Sequence, residues 1–151
     1  MKKIVLGIVA IFACLLLSGC GSKNVEGSLD EIMDKIYATI QDDEKPMMLT
    51  NFEVNQENVE MYLGTTDIEF EEALASESGV GSIAHSVVLI RVKDNANVEK
   101  IEEKIENSVN PRKWICVEAE EVEVESKGNL ILLVMSNEST VEKIVSEFKK
   151  L

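Results

Sequence analysis

Hydrophobic residues fall at helical spacing in four segments of the chain. A capping box, Ser28 to Glu31, precedes the first segment and predicts an amphipathic helix from about residue 29 to 41. A shorter helix is expected between Asn55, which can cap it, and Gly64, which can end it. Two more helices are predicted after residues 94–97 and after Ser139, and their apolar faces contain Val98, Ile101, Ile105 and Val109, and Val141, Ile144, Val145, Phe148 and Leu151.

Other segments have the patterns of strands. Residues 86–92 and 130–135 are short apolar runs typical of buried strands, and Lys127-Gly128-Asn129 is a hairpin turn signal before the second run. Residues 114–124 are predicted as a strand with a bulge or break near Glu120, because the apolar positions change there from odd to even numbers. The stretch 67–77 fits a strand or a helix, and a strand is favoured.

The order of these elements predicts an α+β fold. From residue 67 the order is β-β-α-β-β-α, preceded by two helices, with an irregular or extended link at residues 47–54. Short links within each strand pair favour an antiparallel sheet of about four strands, with the helices on one face. Residues 28–151 have the length of a single globular domain. The pattern leaves the strand order open.

The N-terminus has the three parts of an export signal. Two lysines precede an apolar run of about 14 residues, which is short for a membrane span, and residues 1–19 are therefore predicted to be a cleaved signal peptide. The sequence Leu17-Ser18-Gly19-Cys20 resembles the bacterial lipobox, which implies that Cys20 receives a diacylglyceryl group and becomes the mature N-terminus. An ordinary secretory signal with a coincidental cysteine is the alternative. If Cys20 is lipidated, residues 20–27 are the lipidated cysteine and a polar tether.

The charge of the chain limits its partners. The formal net charge is −13, and it becomes −15 without residues 1–19, since Lys2 and Lys3 are the charged residues of that segment. Such a charge repels nucleic acid phosphates and an anionic bilayer, so neither is expected as a direct ligand, and membrane residence must come from the anchor. We expect a lipid-anchored protein at the extracytoplasmic face of the cell membrane, with a protein or cell-envelope partner and no cofactor.

Three segments of the mature chain, together with the lipobox, resemble a known family. They are residues 28–40, residues 85–94 (HSVVLIRVKD) and residues 127–136 (KGNLILLVMS) with the helix that follows. The chain is similar to the small bacterial lipoproteins of the domain of unknown function 4358 family. No catalytic or binding residues are established for that family, so the resemblance implies a location outside the cytoplasmic membrane and supplies no functional residues.

Acidic and cysteine residues offer few sites for chemistry. Glu118, Glu120, Glu121, Glu123 and Glu125 lie close together, and the last three would share one strand face. Calcium is one hypothesis for this row, but the sequence has no D-x-D-x-D-G loop, so a solvated face is favoured and no metal ligand is predicted. Cys116 has no cysteine to pair with, because Cys14 is removed with the signal peptide and Cys20 carries the lipid. It is expected to be a small buried hydrophobe.

A catalytic arrangement is not recognisable in the sequence. His85 is the single histidine, no triad order surrounds it, and it is expected to be structural. Arg112, Lys113 and Trp114 form the basic-aromatic cluster of an acidic protein, and we select them as candidate interaction residues, although a tryptophan entering a strand often belongs to the core. The favoured function is a non-catalytic binding module. An envelope-associated enzyme or a small-molecule-binding lipoprotein is the alternative.

Overall fold

A computed structural model describes residues 23–151, so the predicted signal peptide and Cys20 lie outside the described residues. The chain forms α1 (Leu29–Tyr37), β1 (Leu49–Val54), α2 (Val59–Leu63), β2 (Glu72–Ser78), β3 (Ser86–Arg91), α3 (Val98–Ser108), β4 (Glu121–Lys127), β5 (Leu130–Ser136) and α4 (Glu138–Lys150). The strands form one sheet in the order β1-β2-β3-β5-β4, and every neighbouring pair is antiparallel. The predicted α+β class with an antiparallel sheet is confirmed.

The sheet has five strands, one more than expected, because the link at residues 47–54 contains β1. This strand lies at an edge, and four of its six residues are exposed, so its sequence lacks the apolar alternation of a half-buried strand. Its pairing with β2 places Phe52 opposite Ala75. As a result, α1 is the one helix that precedes the sheet in the described chain, and α2 connects β1 to β2.

Helices cover both faces of the sheet, whereas we expected them on one face. Leu89 of β3 and Leu132 of β5 face α1 and α4, while Val88 and Leu133 face the opposite side with α2 and α3. Both strands are apolar at consecutive positions, since a strand that is buried on two faces must be apolar on both. The continuous apolar runs were therefore the sequence signal for a sheet covered on two sides.

The strand predicted at residues 114–124 begins later than expected. The strand β4 starts at Glu121, and residues 111–120 form a loop that is closed by a hydrogen bond of 3.0 Å from the Ala119 N–H to the Pro111 carbonyl. The change of apolar phase near Glu120 marks the junction between this loop and the strand. We call residues 111–120 the 111–120 loop.

The N-terminal segment lies against one end of the sheet. The Arg91 guanidinium donates to the Val25 carbonyl from Nη1 at 2.6 Å and to the Gly27 carbonyl from Nη2 at 2.7 Å, and Asn24 donates to Asp94 at 2.8 Å. Residues 23–27 are thus held against the domain instead of forming a free tether. We call this end of the sheet, at Arg91, the near end. The opposite end, at Ser86, is the far end, about 17 Å away along β3.

The helices of the described region are short. The longest, α4, has 13 residues. Within residues 23–151, no helix combines the length and the apolar character that crossing a bilayer requires.

Candidate interaction surface

Lys113 holds the 111–120 loop against the far end of the sheet through a buried ion pair. Its ammonium group binds the Glu77 carboxylate of β2 and donates to Ser86 Oγ of β3 at 3.1 Å. The two charged side chains are only 14% and 19% exposed. Burial lowers the pKa of Lys113, and the neighbouring Glu77 carboxylate opposes this change by favouring the charged form.

Two aromatic rings complete the surroundings of the Lys113 ammonium. Its nitrogen lies 5.2 Å from the ring centre of Tyr62 and 5.3 Å from that of Trp114, which is within the range of cation–π attraction. Trp114 is half-buried and packs against the core on the α2 and α3 face. The loop is therefore fixed at Lys113 and Trp114 by contacts from three different elements.

The three candidate interaction residues lie in one loop but in different environments. Lys113 is largely buried and Trp114 is half-buried, whereas Arg112 is exposed and lies 3.6 Å from the Glu118 carboxylate. Arg112 is thus the member of this group with a freely accessible side chain. The structure uses Lys113 and Trp114 to position the loop.

The residues that follow Trp114 point into solvent. The Ile115 side chain is 100% exposed, and Cys116 is an exposed free cysteine. The expectation that Cys116 is buried was wrong, because it assumed that residues 114–119 belong to a strand with one buried face. Sequence reasoning missed Ile115 for the same reason.

Exposed methionines add apolar surface at the far end. Met47 and Met48 are 66% and 69% exposed just before β1, and their carbonyls accept hydrogen bonds from Ser78 Oγ and from the Gly79 N–H. Met48 has a φ of 55°, a left-handed conformation that is unusual for a residue other than glycine. A large hydrophobic side chain that is exposed in this way is typical of interaction surfaces when several occur together.

His85 is the centre of a buried polar network at the far end, on the face covered by α1 and α4. The Tyr37 hydroxyl of α1 lies 2.6 Å from His85 Nε2, and Ser136 Oγ of β5 lies 2.9 Å from His85 Nδ1. One arrangement satisfies both contacts of the ring: Tyr37 donates to Nε2, and Nδ1–H donates to Ser136.

Burial controls the chemistry of this network. It lowers the pKa of His85 to about 4 and raises the pKa of Tyr37 well above its ordinary value. His85 is therefore neutral at physiological pH. A serine beside a histidine is a nucleophile–base pair in hydrolases, but Ser136 and His85 are almost fully buried here, so a substrate would not reach them without local opening. The arrangement agrees with the structural role expected for His85.

The predicted carboxylate row lies beside α4 and is half-buried. Glu121, Glu123 and Glu125 project from one face of β4, where they line a cleft of about 150 Å³ with Lys149. Lys149 pairs with Glu125 at 2.6 Å. Desolvation raises the pKa of Glu121, and the charges of neighbouring carboxylates raise it further. Among residues 23–151, no group of three or more acidic, histidine or cysteine side chains has the geometry of a metal site.

Three larger open grooves, of about 670, 490 and 480 Å³, lie on the described surface. The first lies beside the N-terminal segment, where Lys23, Lys35, Lys127 and Lys150 are among its lining residues. The second lies beside the start of α3, and the third beside the end of β1. His85 lines none of the three.

Comparison with known proteins adds no relative. No family model, no curated protein and no solved structure matches the chain. The resemblance to the domain of unknown function 4358 family stays a prediction.

Proposed function

We propose that this protein is a lipid-anchored, extracytoplasmic binding module that contacts a protein or cell-envelope partner with the far end of its sheet. The observation that carries the proposal is the fully exposed Ile115 on a loop held in place by the buried Lys113–Glu77 pair. An exposed apolar side chain on a fixed loop contributes contact area at little cost in conformational entropy. The predicted lipobox supplies the location.

The two ends of the sheet support a division of roles. The chain leaves the domain toward Cys20 at the near end, where Arg91 holds Val25 and Gly27. Ile115, Met47 and Met48 lie at the far end. An anchor on Cys20 would therefore hold the near end at the membrane and leave the apolar far end free to meet a partner.

A photo-crosslinking experiment tests the binding role. A photoreactive amino acid replaces Ile115 in the full chain in living cells, and crosslinked proteins are identified by mass spectrometry. The matched control carries the same amino acid at Glu103, an exposed position of α3. A partner enriched at position 115 and absent at position 103 supports the proposal. Equal adducts from both positions, or none under conditions where known neighbours crosslink, contradict it.

The anchor is tested separately by Cys20→Ala. We expect this variant to lose fatty-acid labelling and to leave the membrane fraction, because two acyl chains hold a protein at a bilayer far more strongly than its acidic surface could. Retention in the membrane fraction without labelling would contradict lipid anchoring and would indicate an uncleaved apolar segment.

A further inference from the structure

The groove of about 670 Å³ beside the N-terminal segment has a charge balance opposite to that of the chain. Acidic residues outnumber lysines and arginines by 28 to 15 in the whole sequence. In this groove four lysines, Lys23, Lys35, Lys127 and Lys150, face two glutamates. A terminal carboxylate at Leu151 would lower the balance by one and leave it positive. We call these four residues the lysine groove.

Most of the lysine groove is available to a ligand. Lys23 and Lys35 are exposed and make no ion pair with the described residues. Lys150 is 64% exposed and pairs with Glu147 at 2.5 Å, while Lys127 donates to the Lys149 carbonyl at 2.9 Å. An ammonium group has three donors, so Lys127 and Lys150 can each make further hydrogen bonds to an anion. The apolar side chains of Val25 and Leu151 also line the groove.

The position of the groove in the chain points to its occupant. Lys23 is both a lining residue and the third residue after Cys20, and three consecutive Cα–Cα steps span at most about 11 Å. Hydrogen bonds from Arg91 to Val25 and Gly27 hold the segment that follows Lys23 on the domain. A lipid attached at Cys20 therefore keeps the Lys23 Cα within about 11 Å of the Cys20 Cα, and so holds this side of the lysine groove close to the headgroup layer.

We propose that the lysine groove binds the phosphate of anionic phospholipid headgroups and so fixes the orientation of the domain on the bilayer. This inference rests on the lipid anchor of the proposed function. The acidic surfaces elsewhere are repelled by the same headgroups, so attraction at the groove and repulsion elsewhere act in the same direction. The domain then stands with its near end on the membrane and Ile115 away from it.

Lipid photo-crosslinking tests this orientation. The full chain is produced in a lipidating bacterial host, its modification at Cys20 is checked by mass spectrometry, and the protein is placed in nanodiscs with or without phosphatidylglycerol in phosphatidylcholine. A photoreactive amino acid at Ala38, an exposed residue that lines the groove, reports contact with lipid. The same amino acid at Glu106, exposed on α3 on the other side of the sheet, is the positional control.

A charge-matched pair of variants tests the lysines. One variant changes Lys23, Lys35 and Lys150 to glutamine, and the control changes Lys45, Lys104 and Lys143, which make exposed ion pairs away from the groove. We expect phosphatidylglycerol adducts at position 38 to fall at least about fivefold in the first variant and not in the second, since a lysine near an anionic surface contributes about that factor. High salt should have the same effect as the first variant.

The outcomes separate the two proposals. Equal lipid adducts at positions 38 and 106, or an unchanged yield in the groove variant, overturn the proposed binding of phospholipid by the lysine groove. If Cys20 is lipidated in the same sample, the proposed anchor is still supported. Adducts of similar yield in pure phosphatidylcholine would also overturn the proposed binding by the groove, because they show contact without charge recognition. A chain that carries no lipid overturns the anchor itself, and with it the orientation.

Discussion

The buried state of His85 makes the stability of this protein depend on pH between about 7 and 4. Burial lowers the pKa of folded His85 to about 4 from an ordinary value of 6.5. The unfolded chain therefore binds a proton on this side chain at a pH where the folded chain does not. The stabilisation is fully present above pH 6.5, and it is lost as the pH falls through this window.

The size of the effect follows from the two pKa values. One pKa unit corresponds to about 1.4 kcal/mol, so the difference between 6.5 and about 4 corresponds to a loss of about 3 kcal/mol in the free energy of unfolding. About 2 kcal/mol of this is lost between pH 7.5 and pH 5. Tyr37 and Ser136 face the ring as neutral hydrogen-bond partners and supply no charge that would stabilise an imidazolium.

Urea unfolding at pH 7.5, 6 and 5, followed by circular dichroism, measures this loss in the wild type and in His85→Gln. His85 is the single histidine, and the carboxylates of the chain contribute to the pH dependence of both proteins. We expect the stability difference between the two proteins to shrink by about 2 kcal/mol from pH 7.5 to pH 5.

Tyr37→Phe tests whether burial or hydrogen bonding causes the low pKa of His85 and the pH dependence of stability. It removes the hydroxyl 2.6 Å from His85 Nε2 and keeps the imidazole buried. We expect it to lower stability by about 1 to 3 kcal/mol at pH 7.5 while keeping the pH dependence of the wild type. A wild type and a His85→Gln variant with the same pH dependence would refute the reasoning, as would an NMR titration in which folded His85 protonates near pH 6.5.

Three other experiments test the loop and the N-terminal segment. Lys113→Met should destabilise the protein by about 3 to 5 kcal/mol in urea unfolding, because it leaves the buried Glu77 carboxylate unpaired. Adding Glu77→Gln should restore much of this loss, and no recovery in the double variant would contradict the buried pair. Gly128→Ala should cost about 1 to 2 kcal/mol and speed proteolysis at residues 23–27, since Gly128 has a φ of +61° and a Cβ there would lie 2.8 Å from the Asn24 Cα. Cys116 should react with a thiol reagent in the native protein as fast as in urea, and protection of the native thiol would disprove its exposure.

The elements that the sequence predicted well are those with strong local signals. The first helix begins at the predicted capping box, in which Ser28 and Glu31 exchange hydrogen bonds with each other's backbone N–H groups. The hairpin between β4 and β5 turns at Gly128 as expected. The cap of α4 was displaced by two residues, from Ser139 to Asn137, because both side chains can accept a hydrogen bond from the first turn.

The elements that were missed depend on contacts far apart in the sequence. The strand β1 is recognisable only through its pairing with β2, since Asn51 and Glu53 are exposed polar residues. The 111–120 loop has the apolar composition of a strand, but the Lys113–Glu77 pair and the contacts of Trp114 hold it in another conformation. The His85 network joins side chains about 50 residues apart, so no local pattern could have indicated it.

The Lys113–Glu77 pair is better explained by its effect on the conformation of the 111–120 loop than by a gain in stability. A buried ion pair often contributes no more than well-packed apolar residues would, because desolvation offsets the attraction. An apolar residue at position 113 could pack against the core in many ways, whereas an ammonium group must reach the carboxylate of Glu77 and the hydroxyl of Ser86 together. This requirement sets where Ile115 emerges. Because Ser86 and Arg91 are the two ends of the buried strand β3, the same strand that places the loop also receives the N-terminal segment.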